Sequence, residues 1–151
     1  MDAVGIPATF TEIAGRLALA TLLGALVGLN REREGKPAGL RTHALVALGA
    51  SQLTVVGLLF GAGDAAASGR MLQGVITGVG FIGAGVILHR SDSRGVQGLT
   101  TAAAIWVVAA IGVAAGAGLW RTATATIALT MLILVVGAAI DRRVHKDNPP
   151  G

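Results

Sequence analysis

The 151-residue sequence has no cysteine, which excludes disulfides, thiolate metal sites and thiol catalysis together. Aromatic residues make up 3% of the chain and charged residues 13%. No interleaving of aromatic and basic side chains arises that would grip a nucleic acid, so none is expected as a partner. No Ser/His/Asp set, His-Glu metal motif or pair of buried carboxylates occurs. The expectation is a protein that is not an enzyme and has no cofactor. Ionisable residues are also missing from the centre of every long apolar run. Proton- or sodium-coupled transporters usually keep a carboxylate there, so a self-sufficient pump is disfavoured.

What remains is apolar, at 53% of residues. Five runs lie at roughly residues 10–29, 44–61, 71–88, 102–119 and 123–140. Eighteen helical residues reach about 27 Å, close to the ~30 Å of bilayer hydrocarbon, so each run can cross once. The expected fold is therefore an all-α integral membrane protein with five transmembrane helices, its solvent the lipid bilayer. Residues 1–141 form the transmembrane domain and 142–151 a polar cytoplasmic tail.

Lys and Arg at span ends set orientation, because they resist translocation. Arg31, Arg33, Lys36, Arg41, Arg90, Arg94, Arg142, Arg143 and Lys146 fall on one side, and only Arg16, Arg70 and Arg121 on the other. This nine-to-three alternation puts the N-terminus outside and the C-terminus in the cytoplasm. The net charge of +4 thus reflects topology. The first run lacks a basic n-region and precedes the most basic loop, so it reads as a retained span and not a signal peptide. Glu12 and Arg16 stand four residues apart, in the order that favours pairing at the outer interface.

Residues 24–50 and 83–109 align without a gap at an offset of 59, with ten of 27 positions identical. Arg31 matches Arg90, Gly39-Leu40 matches Gly98-Leu99, and Thr42 matches Thr101. Such an offset carries the chain across the membrane twice, so spans 1–2 and 3–4 read as a parallel duplicated unit, with a fifth helix added. Thr42, and Thr100 or Thr101, are placed to cap helices two and four. With Arg31, Arg41 and Arg90 nearby, these helix starts form either an anion or acidic-partner surface or simply topology signals with ordinary caps. His43 and His89, at the same span ends, read as wet helix-terminal residues.

Glycine pairs at Gly24/Gly28, Gly74/Gly78 and Gly112/Gly116 have the G-x-x-x-G spacing that lets helix backbones approach closely. Span three is the extreme, with five glycines among residues 74–85. It reads either as a thin helix packed between neighbours, and so mostly protein-facing, or as a broken helix whose freed carbonyls line a polar cavity. Gly78, Gly80 and Gly83 also spell G-x-G-x-x-G, but without the strand and βαβ unit that give this motif meaning.

Three segments, GLRTHALVALGA at 39–50, GVGFIGAGVIL at 78–88 and GLTTAAAIWVVAAIGVAAGAG at 98–118, resemble the membrane domain of the MgtC/SapB family. The resemblance covers about residues 13–140. It implies a bacterial inner-membrane protein linked to low-magnesium adaptation and survival inside host cells, and a short form without the soluble C-terminal domain of larger members. Residues matching the family pattern are Arg31, Glu32, Gly39, Leu40, Arg41, Thr42, Arg70, Gln73, the run 78–85 with Gly80, Phe81, Gly83 and Gly85, and the run 98–103 with Gly98, Leu99, Thr100 and Thr101. Two positions depart from it: Asn30 stands where an acid is usual and Gln97 where an arginine is usual. An ion pair between those loops in relatives would here become an amide pair. The function implied is a regulatory or adaptor role in magnesium homeostasis and stress or virulence adaptation. The alternative is a channel or transporter component for Mg²⁺ or a small solute along span three. A homo-oligomer, with a dimer the expected state, or another inner-membrane protein would be the partner.

Overall fold

The computed structural model describes residues 9–61, 64–88 and 97–147. They form five α-helices: α1 (Phe10–Arg33), α2 (Leu40–Phe60), α3 (Ala65–Leu88), α4 (Leu99–Gly116) and α5 (Trp120–Asp147). All five are long and apolar enough to cross a bilayer, and the chain is a multi-pass membrane protein. Each expected run lies within or within a few residues of one helix, but four helices begin several residues earlier. Polar residues such as Arg41 and Thr42 continue the helix beyond the apolar run. At the other end α5 runs through Asp147, past the expected start of the tail, since a helix satisfies its own backbone wherever it leaves the bilayer.

α4 is the central helix, packed against all four others. Small and apolar around its whole circumference, it buries 50% of its spanning residues, against 17% for α3. Two glycine pairs permit the tight seams. A Cβ on Gly24 would lie 2.6 Å from the His43 carbonyl oxygen, and one on Gly116 would lie 2.6 Å from that of Ser51. α1 and α4 thus both press onto the small-residue face of α2 around Ala47, Ala50 and Ser51.

Span three departs from its expectation. α3 is one continuous helix, touching α2 and α4 along Val75, Val79 and Gly83, while Gly74, Gly78, Gly80 and Gly85 face open space. Within its own chain α3 is not mostly protein-facing. α4 takes the centre, because its alanines and its Gly112 and Gly116 let α2 approach its backbone closely. α5 docks through Ala123, Ile127, Thr130 and Leu134, spaced along one face.

Candidate functional site

α1 and α4 run antiparallel, and two arginines of α1 reach the two ends of α4. At one end, Arg16 Nη1 donates to the Gly116 carbonyl at 2.9 Å, while Nη2 meets Glu12 at 2.6 Å as expected. Gly118 closes this end in the left-handed region at φ +81, allowing the short turn into α5. At the other end Arg31, 3% exposed, reaches Thr101 Oγ1 at 3.4 Å and Glu34 Oε2 at 3.3 Å. Its Nε is buried with no partner.

Arg31 forms the floor of a cleft of about 800 Å³. The α1–α2 loop contributes Glu34, Lys36 and Pro37; the start of α4 contributes Gln97 to Thr101; and α5, where it parts from the bundle, contributes residues from Ile133 to Arg142. Gly98, left-handed at φ +88, is the N-cap of α4 and makes no side-chain cap hydrogen bond. A Cβ there would also press on the Val86 carbonyl at 3.0 Å. The first-turn amides of α4 therefore point their partial positive charge into the cleft uncapped.

The expected caps at Thr42 and at Thr100 or Thr101 are not formed. Glycines hold both N-cap positions, Gly39 and Gly98, and α2 borrows its cap from the preceding helix: Glu32 Oε2 accepts from the Leu40 amide at 2.9 Å. A Cβ on Gly39 would meet that carboxylate at 2.7 Å, so a larger residue there would displace the Glu32 side chain from its cap. Thr101 is instead buried against Arg31, and Thr42 is half-buried. The cleft thus gathers Arg31, Gln97, Gly98, Leu99, Thr100 and Thr101. It does not gather Asn30 or Arg41, which lie outside its lining, Arg41 being exposed. Gln97 is exposed and forms no bond to Asn30, whose Oδ1 is buried without a partner, so the amide pair is absent. Arg70 sits at the opposite end, 3.5 Å from Asp64, while Gln73, Gly80, Phe81 and Gly85 lie on the outer face of α3. Gly83 lies against Ala102. Arg90 and His89 lie outside the described residues.

His43 corrects another expectation, for it is fully buried, not wet. Its Nδ1 lies 3.0 Å from the Gly39 carbonyl, leaving Nε2 unpartnered. The close α1–α2 seam at Gly24 covers it. Sequence reasoning missed Glu34, Lys36, Asp141 and Arg142 as cleft residues. Only Gly137, a gap in an otherwise bulky span beside Asp141, hinted at space there. Among the described residues no group of three or more His, Asp or Glu is placed to hold a metal ion.

The profile of the MgtC family matches residues 17–143, spanning all five helices and the whole cleft. The chain belongs to the MgtC family. It is 48% identical to "Protein SrpB" of Synechococcus elongatus over 130 residues, 79% of this chain and 71% of that protein. It is 39% identical to "Putative magnesium transporter YhiD" of Escherichia coli over 144 residues, 91% of this chain and 66% of that protein. With "Protein MgtC" of Brucella abortus it shares 42% over 127 residues, 84% of this chain and half of that protein. The MgtC-family match thus covers half to about seven-tenths of these relatives' lengths. No solved structure matches the chain.

Proposed function

We propose that this chain is a non-enzymatic membrane protein of magnesium homeostasis, a regulator or adaptor that acts through helix contacts with another membrane protein or its own copies. The carrying observation is the outer face of α3. There Gly74 and Gly78 leave open space on a spanning helix and Gln73 is exposed. In hydrocarbon a glycine ladder beside an amide is better satisfied by a second helix than by lipid. The magnesium assignment is supported by family membership and by the name of the Escherichia coli relative. Helix starts at Leu40 and Leu99, 59 residues apart, support the duplicated helix pair. The setting is a bacterial inner membrane with the N-terminus outside. Arg31, Arg33, Lys36, Arg41, Arg142 and Arg143 at one end of the bundle against Arg16, Arg70 and Arg121 at the other support that orientation.

Because the chain has no native cysteine, single Gly78→Cys chains in membranes report the contact directly. They should crosslink to a copy or a partner, while Gly78→Leu should lose the assembly and keep the fold. An α3 face that never crosslinks would sink the adaptor reading. The second reading, a component of a Mg²⁺ or solute path along α3, is favoured by the exposed Gln73 and by the relative's name. Purified protein in liposomes decides between them. No Mg²⁺ flux above protein-free vesicles is expected, and clear flux would favour the transporter. Reporters fused after Leu29 and after Ile140 should both read cytoplasmic and one near Asp64 external; the reverse would overturn the orientation.

A further inference from the structure

α4 presents opposite electrical ends to two identical side chains. A helix C-terminus attracts a cation and an N-terminus repels one, each effect equivalent to roughly half a charge. Arg16 at Gly116 is therefore at home. Arg31 is not: it is buried beside the uncapped N-terminus of α4, its two hydrogen bonds are long, and its Nε has no partner. A buried guanidinium costs several kcal/mol unless well paired, and here the adjoining amides add to the deficit. Both line one cleft, where the carboxylate that Arg31 meets is Glu34 at 3.3 Å and the α4 amides have no side-chain cap.

The walls of that cleft specify which anion would complete both. Lys36 and Arg142 are exposed on its rim, and with Arg31 they outnumber the two carboxylates, Glu34 and Asp141, that also line it. The lining also carries apolar surface, Leu99 at 58% and Ile133 at 70% exposed, of the kind that a spanning protein turns toward lipid. The cleft opens at the end of the spanning helices, the depth of lipid headgroups. Exposed basic residues at that depth attract anionic lipid. We propose that this cleft binds the phosphate of an anionic phospholipid, held by the Arg31 guanidinium and the first-turn amides of α4, with its acyl chain along Leu99 and Ile133. A lipid would then couple α5 to the α1–α4 pair, filling the gap where α5 parts from the bundle.

The full chain, purified in detergent and stripped of lipid, is titrated with phosphatidylglycerol and with phosphatidylcholine of identical acyl chains. Melting temperature and lipid retained in native mass spectrometry are read. Phosphatidylglycerol should be retained about tenfold more tightly or better, the scale set by two or more interfacial charges. Arg31→Met should abolish that preference. The double variant K36Q/R142Q, which changes only exposed side chains, should lose most of it and keep the fold. Equal retention of the two lipids, or a preference unchanged in K36Q/R142Q, overturns the proposal. So does protection by inorganic phosphate without any preference between the lipids, which would put the anion in solution.

Discussion

Arg16 and Arg31 leave the same helix fifteen residues apart and reach the two ends of α4, yet one end is closed and the other open. At the closed end the guanidinium meets a carbonyl, a carboxylate and a favourable dipole, and Gly116 seats α4 on the backbone of α2. At the open end the same group meets a carboxylate at 3.3 Å and a hydroxyl at 3.4 Å, both longer than the contacts of Arg16, beside an adverse dipole and a cleft. A residue type therefore does not carry its energy with it. The helix end it meets decides whether it locks the fold or waits for a ligand.

The largest test of this contrast uses glycine. Gly116→Leu drives a side chain into the Ser51 backbone and should destabilise by about 3 kcal/mol or more, above the usual range for overpacking because backbone cannot yield. Gly137→Leu at the open end, where an added Cβ meets nothing within 4 Å, should leave the melting temperature nearly unchanged. Tryptophan fluorescence of Trp106 and Trp120 during unfolding in detergent reports both variants. Equal losses would mean that the cleft is not open.

Removing each arginine comes next. Arg16→Met forfeits a charge-assisted hydrogen bond to Gly116, and should cost roughly 1.5–3 kcal/mol. Arg31→Met removes a cation from the repelling end but strands Glu34, so the double variant Arg31→Met/Glu34→Gln, which removes the whole poorly aligned pair, should cost less than Arg16→Met. The same melts compare them, and a larger loss in the double variant would show the pairing of Arg31 to be complete without a ligand. The smallest effect concerns the caps at the open end. Glu32→Gln should cost about 0.5–1 kcal/mol by weakening the α2 cap, and Thr42→Ala almost nothing. A Thr42 effect equal to that of Glu32 would restore the threonine as the cap.

Much of the fold was legible because its signals are one-dimensional. Five apolar runs and the Glu12–Arg16 pair are read along the chain, and each was found where expected. The caps were not legible, because Glu32 reaches α2 from the preceding helix across a turn, and local spacing points instead to threonine. The glycine pairs show the same limit from the other side. Gly24/Gly28, Gly112/Gly116 and Gly74/Gly78 share one motif, but only the first two meet a neighbour in this chain. The motif states that a backbone can be approached, not which helix will do so. At the cleft, one surface with Arg31, Arg41, Asn30, Gln97 and the starts of helices two and four was expected, and of these only Arg31, Gln97 and the start of α4 line it. The contributions of Glu34, Asp141 and Arg142 were not expected, since α5 follows α4 by a short turn and returns to α4's start only through a full crossing.

By itself the sequence determined the membrane as solvent, five helices long enough to cross it, and membership of the family, because hydropathy and motif spacing need no partner to be expressed. Tertiary structure decided the rest. It made α4 the centre and left α3 open, buried His43, and set two arginines of one helix against opposite ends of another. Those outcomes depend on which surfaces meet in space. Packing is a competition among all five helices for the same small contact area, and no single helix carries its result in its own residues.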